Sequence, residues 1–279
     1  MNIQEALKKG HSFLRNNNIK SAQLDSEILM SKVLKKEKKY LILNLNKEIK
    51  KRDFDYFNIL IQKRAKSKPI AHLTQKKEFW KYEFMVTEDV LIPRPDSEIL
   101  VEQVLELTKN KKKLKVLDIG IGSGCLLMSI MNEKTDFIGT GIDVSKKSLR
   151  ISKINSHNFR LHGRLKLFKS NIDNFNLGKY DLIISNPPYI KKFDLKCLEK
   201  DISYEPKNAL DGGLDGLSEI RKVINKSTDL IKNKGHLLLE IGFDQTNKVK
   251  EILKNKGFYI KKIVKDLSKH NRCIISTKI

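Results

Sequence analysis

Hydrophobic positions in the first part of the chain recur with the spacing of helix faces. Ile3, Ala6, Leu7, Phe13 and Leu14 fall on one stripe, Leu24, Ile28, Leu29 and Val33 on a second, and Phe54, Phe57 and Ile61 on a third. Asn16-Asn17-Asn18 and the charged run at 35–39 interrupt them. The pattern predicts a small helical domain over residues 1–75, with no chemical constellation in it, suited to recognition or positioning. The period then changes. Residues 78–91 are aromatic and β-branched with a polar break at Thr87-Glu88-Asp89, which predicts a β-hairpin broken there. Ile92-Pro93-Arg94-Pro95 follows, and its two prolines forbid a helix through them. Residues 76–95 therefore read as a linker, and Asp96 or Ser97 as the cap of a helix running to Leu107.

Over residues 96–279 apolar strands alternate with helices. Strands are expected at 115–119, 137–142, 165–168, 181–185, 237–241, 258–264 and 273–276, and helices at 145–156, 217–232 and 245–255, the last ended by Gly257. Such alternation predicts an α/β domain whose mostly parallel sheet of seven strands is covered on both faces.

Composition narrows the classes. With 279 residues, 39% of them hydrophobic, the chain can bury a core, and no apolar run approaches a bilayer span. The amino terminus lacks the apolar stretch of a signal peptide, and the three cysteines are too few for a disulfide framework, so a cytoplasmic protein is expected. Cys125, Cys197 and Cys273 form no CxxC and the six histidines no HExxH, so no metal is expected. Against 33 Asp+Glu stand 56 Lys+Arg, a formal net charge of +23. That field favours polyanions, but the lysines are scattered and arginine, the usual reader of bases and phosphates, is sparse. A solvated lysine-rich surface accounts for the charge, and direct nucleic-acid binding is left open without being required. No coiled-coil or interface stripe stands out, so a monomer is expected.

The sharpest local signal is Asp118-Ile119-Gly120-Ile121-Gly122-Ser123-Gly124 at the end of the first strand of the sheet. Ligands of open α/β sheets bind outside strand ends, and glycines let the backbone approach them closely. A dinucleotide fingerprint fails here, since Cys125 or Leu127 occupies its last position, and no lysine follows to make a P-loop. The remaining pattern, DxGxGxG, resembles the first motif of class I S-adenosylmethionine-dependent methyltransferases, which have a Rossmann-like fold. That resemblance implies cofactor contacts from Gly120, Ile121, Gly122, Ser123 and Gly124. Asp143 ends the next strand about 20 residues on, where a ribose diol is held; its plainer reading is a helix cap. Asn171 and Ile172 follow the third strand, where such enzymes contact adenine, although an acidic residue is usual at the position of Asn171.

The fourth strand ends in Asn186-Pro187-Pro188-Tyr189. Adjacent prolines cannot continue a central strand, so the chain leaves the sheet at the same edge as the glycines. Amide and exocyclic amino nitrogens are poor nucleophiles because their lone pairs are delocalised. Acceptors for the two N–H groups, the Asn186 side-chain oxygen and the Pro187 carbonyl, orient such a nitrogen toward a sulfonium methyl, and Tyr189 offers a flat stacking face. Catalysis is then positioning and electrostatic stabilisation.

NPPY is shared by DNA adenine-N6 and protein glutamine-N5 methyltransferases. Other segments separate them. Residues 91–98 (LIPRPDSE) resemble the IPRPETE signature of the HemK/PrmC family, Tyr204-Glu205-Pro206 with Ala209-Leu210 resembles its YEPxxAL stretch, and Leu239-Glu240-Ile241-Gly242 with Gln245 resembles its LEIG..Q strand. Pro95 after Arg94 favours the release-factor branch over the ribosomal-protein branch. The resemblance implies methyl transfer from S-adenosylmethionine, leaving S-adenosylhomocysteine, to the glutamine of the Gly-Gly-Gln loop of class 1 peptide chain release factors. Asn186, Pro187, Pro188 and Tyr189 would hold that glutamine, Asn186 also standing beside the cofactor, and the helical domain would bind the release-factor body. Two readings compete: an adenine-N6 enzyme, for which the amino terminus has no evident base-reading motif, and a basic RNA- or ribosome-binding protein with a vestigial cofactor fold, against which the intact glycine loop, Asp143 and NPPY count.

Overall fold

The computed structural model describes residues 1–279, which form two compact units. The first comprises Met1–Lys76 and the short segment Glu199–Tyr204. Its helices are α1 (Ile3–Asn16), α2 (Ala22–Leu34), α3 (Lys38–Leu43), α4 (Lys51–Ala65) and α5 (Ile70–Thr74). A reciprocal capping box starts α1: Asn2 Oδ1 accepts from the Glu5 amide, and Glu5 Oε2 from the Asn2 amide. Ile3, Ala6 and Leu14 of α1 share a core with Leu29 and Met30 of α2 and Phe57 and Ile61 of α4. Gly10 lets α1 lie close to α4, since a Cβ there would stand 2.7 Å from the Phe57 ring. Two residues assigned to the stripes, Phe13 and Leu24, are instead exposed. In α1 and α2 the apolar positions extend beyond the face that the helix buries, whereas Phe54, Phe57 and Ile61 of α4 all pack into the core.

Charge also holds this unit together. Arg64 on α4 is buried and pairs with buried Asp25 on α2 at 2.7 Å, while its Nη1 reaches the Lys68 carbonyl and Asp201 at 3.1 and 2.9 Å. Ser21 adds a hydroxyl donor to Asp25. Asp201 and Tyr204, whose hydroxyl donates to the Lys66 carbonyl, fasten the segment Glu199–Tyr204 here although sequence order puts it within the α/β part.

The second unit opens with a two-stranded ribbon, β1 (Lys76–Phe79) and β2 (Tyr82–Met85). Its turn is at Trp80-Lys81, not at the polar break expected at 87–89. Trp80 takes a left-handed conformation (φ 58°), its amide donating to Glu98 and its indole to Glu133, so tertiary hydrogen bonds choose the turn. After a short 3-10 turn over Pro95–Ser97 come α6 (Glu98–Leu107), β3 (Lys115–Ile119), α7 (Cys125–Glu133), β4 (Ile138–Asp143), α8 (Lys146–Asn158), β5 (Leu165–Lys169), β6 (Tyr180–Ser185), α9 (Ser218–Leu230), β7 (Ile231–Glu240), α10 (Thr246–Asn255), β8 (Phe258–Lys265) and β9 (Asn271–Lys278).

The seven-stranded sheet runs β5-β4-β3-β6-β7-β9-β8, with β9 alone reversed. Strict alternation along the strands feeds two cores. Val116, Leu182, Ile184, Leu238 and Ile275 face the core built with α6 and α7, while Leu117, Ile183, Leu237, Leu239 and Ile274 face the one built with α9 and α10. The strand order reverses between β3 and β6, which puts their carboxyl ends at a topological switch point.

Replacing Arg64 by Met strands the buried Asp25 carboxylate and should lower the stability of the helical unit by about 3–5 kcal/mol. Adding Asp25→Leu should recover most of that loss. Urea unfolding followed by far-ultraviolet circular dichroism reads both; equal stability of Arg64→Met and the parent would show that the pair carries no such cost.

Candidate active site

A cavity opens at the carboxyl edge of the sheet, where open α/β sheets bind their ligands. Gly120 and Gly122 form one wall, Asp143 and Val144 a second, Ser170, Asn171 and Ile172 a third, and Asn186, Pro187 and Pro188 a fourth. The glycine loop is built for that place. Gly120, Gly122 and Gly124 have φ of 78°, 55° and 85°, where a Cβ is strained. The amides of Gly120 and Ile121 both donate to the Ile142 carbonyl at the end of β4. Ile121 plants its side chain on Gly141, where an added Cβ would meet it at 2.1 Å. From α8, Ser152 donates to the Gly122 carbonyl and Asn155 to that of Ser123. Of the five loop residues, Gly120 and Gly122 line the cavity, whereas Ile121, Ser123 and Gly124 hold its shape from behind.

Asp143 accepts from the Gly122 amide at 3.0 Å and the Ser145 amide at 2.8 Å, tying the loop to the start of α8. Ser145, not Asp143, supplies the side-chain cap of that helix. Burial raises Asp143 above the ordinary carboxylate range, and the Ser145, Gly122 and Val144 amides offset part of the rise. Asp118, in DxGxGxG but not singled out from the sequence, is fully buried without a completed hydrogen bond on either oxygen. Burial first, and Asp143 second, push it up to about 8, an amide contact from Leu127 acting against them. Asn171 spends its own Oδ1 on the amide of Asp173.

The NPPY segment is held from three sides. Ser185 Oγ donates to the Ile119 carbonyl at 2.7 Å across the switch point. Asn186 Nδ2 donates to Ser97 Oγ at 3.1 Å. Ser97 therefore does not cap α6: its backbone continues the helical turn (φ -73°, ψ -15°) and its hydroxyl makes no cap bond. Tyr189 is not part of the cavity wall. Its phenol donates to Glu240 Oε1 at 3.2 Å, and burial followed by that carboxylate raises its pKa well above the usual tyrosine value. Glu240 is itself buried, which pushes it up to about 7 against the opposing pull of Ser97, Arg272 and Tyr189.

The remaining motifs converge on the same place. Glu205 is buried and accepts from the Ile92 amide at 2.8 Å and from the Arg94 guanidinium, so the acid of YEP fastens the IPRP segment. Gln245 accepts from the Gly242 amide and donates to the carbonyls of Tyr189 and Gly216, bracing the NPPY exit from behind. Gly212 packs against Tyr189, leaving no room for a Cβ. Asp89, Val90 and Leu91 complete the cavity, as do Pro206, Asn208 and Ala209. None of these wall residues was singled out as a site residue from the sequence, although Leu91, Pro206, Asn208 and Ala209 lie within the IPRP and YEP segments and Asp89 and Val90 just before the first of them.

Above Gly120 nothing stands within 4 Å of where a side chain would be, and Asp143 faces the same space.

The family described as PrmC N-terminal domain matches residues 5–74, and the Methyltransferase small domain matches residues 95–262. A release factor glutamine methyltransferase of Clostridium acetobutylicum is 38% identical, over 100% of this chain and 99% of its own length. One of Buchnera aphidicola subsp. Schizaphis graminum is 36% identical, with 100% of both chains covered. A methyltransferase from Pyrococcus furiosus, 22% identical, shares the fold with a TM-score of 0.54 over 78% of this chain and 98% of its own. With both family parts in order and full-length relatives at that identity, the chain belongs to the PrmC family, the release factor glutamine methyltransferases.

Proposed function

We propose that this chain transfers a methyl group from S-adenosylmethionine to the side-chain amide nitrogen of the glutamine in the Gly-Gly-Gln loop of class 1 peptide chain release factors, in the cytoplasm. The observation that carries the reading is that Asn186, Pro187 and Pro188 border the same cavity as Gly120, Gly122 and Asp143, in a chain whose full-length relatives bear that name. No helix is long and apolar enough to cross a membrane.

The bound cofactor supplies an electrophilic sulfonium methyl. Gly120 and Gly122 would admit it by lacking side chains, and Asp143 would offer its remaining lone pairs to the ribose hydroxyls while its amide contacts tie the loop to the start of α8. Asp118, buried behind the glycine loop, would offset the positive charge of the cofactor's ammonium group. Asn186 Oδ1 and the Pro187 carbonyl accept the two amide protons of the substrate glutamine, turning its nitrogen toward the methyl and stabilising positive charge as it develops. Tyr189, anchored by its hydroxyl on Glu240 and by its carbonyl on Gln245, fixes the NPPY backbone from behind the cavity. No general base is needed at transfer, because the amide proton becomes acidic only once the new bond forms.

Labelled S-adenosylmethionine offered with purified release factor and, separately, duplex DNA tests the reading. A single methyl on the Gly-Gly-Gln glutamine by mass spectrometry is expected. Label on DNA with the release factor untouched would overturn it. In the same assay Asn186→Ala should lower kcat by about a hundredfold or more, with cofactor affinity nearly unchanged.

Asp143→Ala should weaken cofactor binding by about 1.5–3 kcal/mol for each hydroxyl bond lost, and calorimetric affinity equal to the parent's would remove Asp143 from the ribose site. Asp118 carries the pH dependence. At about 8 it is mostly protonated in the free protein at neutral pH, and a bound cation pulls its pKa down. Binding then releases a proton, and affinity rises with pH until about 8. Asp118→Asn should flatten that rise in titrations at pH values either side of neutrality.

A further inference from the structure

Asn186 can serve as an acceptor only if its amide faces the right way, and nothing in an isolated Asn-Pro-Pro-Tyr decides that. The oxygen and nitrogen ends of an asparagine amide are nearly identical in shape, so orientation is set by what the buried end meets. Here that partner is Ser97 Oγ, 3.1 Å from Nδ2 and 3% exposed. A serine hydroxyl is ambivalent, able to accept from Nδ2 or donate to Oδ1 in the flipped amide. Its own proton must therefore be committed elsewhere if the amide is to hold one orientation.

Glu240 is placed to accept a hydrogen bond from that hydroxyl. It ends β7, is 1% exposed, and Ser97 bears on its carboxyl group. Oε1 accepts from Tyr189, while Oε2 is buried with no completed hydrogen bond. A buried acceptor in need of a donor and a buried hydroxyl with a proton to share are a matched pair, and leaving either unpaired is destabilising. Asp96 and Arg272, which form an ion pair, are the other charged groups bearing on it.

We infer that Ser97 and Glu240 form a positioning relay, in which the Ser97 hydroxyl donates its hydrogen bond to the Glu240 carboxylate, so that Ser97 can only accept from Asn186 Nδ2 and Oδ1 is left as the end that receives the substrate amide. The same carboxylate holds the Tyr189 hydroxyl, so one buried acid orients both polar side chains of NPPY. The relay rests on the proposed role of Asn186. Neither Ser97 nor Glu240 touches substrate; each acts through Asn186.

Kinetics with release factor and S-adenosylmethionine separate the relay from a packing role. Ser97→Ala should lower kcat by about tenfold or more, with the release-factor KM and cofactor affinity held within about twofold. Ser97→Thr, which restores the hydroxyl, should return kcat to within about threefold of the parent. Glu240→Leu, which keeps volume and removes the acceptor, should cost about as much as Ser97→Ala, and the double variant no more than either alone, since both break one chain. Multiplying losses, or Ser97→Ala within about twofold of the parent, would overturn the relay. If Glu240→Leu does not fold, the contrast between Ser97→Ala and Ser97→Thr decides by itself. Asn186→Ala, run alongside, separates the two levels: a full loss there with normal Ser97→Ala sinks the relay alone, whereas normal turnover in Asn186→Ala sinks the underlying reading with it.

Discussion

Everything at the site depends on the pairing of β3 with β6 at the point where the sheet changes direction. Their register sets Asp118 beside Ile184, so the next residues of each strand emerge side by side: Gly120 begins one loop and Asn186 the other. The Ser185 hydroxyl closes the seam on the Ile119 carbonyl. Because neighbouring strands lie about 4.8 Å apart, this ladder fixes the distance between the glycine loop and NPPY before any side chain is chosen. Loops alone have no such precision, and a shift of one residue in register would turn Asn186 toward a core face.

Around that ladder the protein buries polar groups at some cost to stability. Gln245 is almost fully satisfied, with one acceptor and two donor bonds to backbone. Glu205 likewise has both oxygens engaged. Asp118 and one oxygen of Glu240 are not. The satisfied groups are braces for loops that carry no regular structure. The unsatisfied ones lie next to the glycine loop and behind NPPY, and buried polar groups left without partners are exceptions in a folded protein.

The order of elements was legible along the chain because each carries its own period. Alternation in β3, β6 and β9 marks two buried faces, and the helical stripes of α1 and α4 mark one each. The glycine loop, Asp143 and NPPY were legible because strand ends, glycines and paired prolines constrain the backbone locally. Phe13 and Leu24 were misplaced because a helical stripe does not say how much of it a partner covers. The hairpin turn was misplaced because Glu98 and Glu133, distant in sequence, stabilise a left-handed Trp80.

Local chemistry thus set the strands, the helices and the glycine and proline loops, since backbone conformation responds to residues a few positions apart. Long-range assembly decided the rest. Ser97 has the sequence context of a helix cap, yet its hydroxyl serves Asn186, 89 positions away. Glu205 and Gln245 become braces only when the sheet edge brings IPRP and NPPY to them. Segment Glu199–Tyr204 lies between two α/β stretches and still packs with the helices through Asp201. Hydrogen bonds and ion pairs between such distant groups exist only once the chain is folded, because the partner that orients each side chain is chosen by topology and not by neighbourhood in sequence.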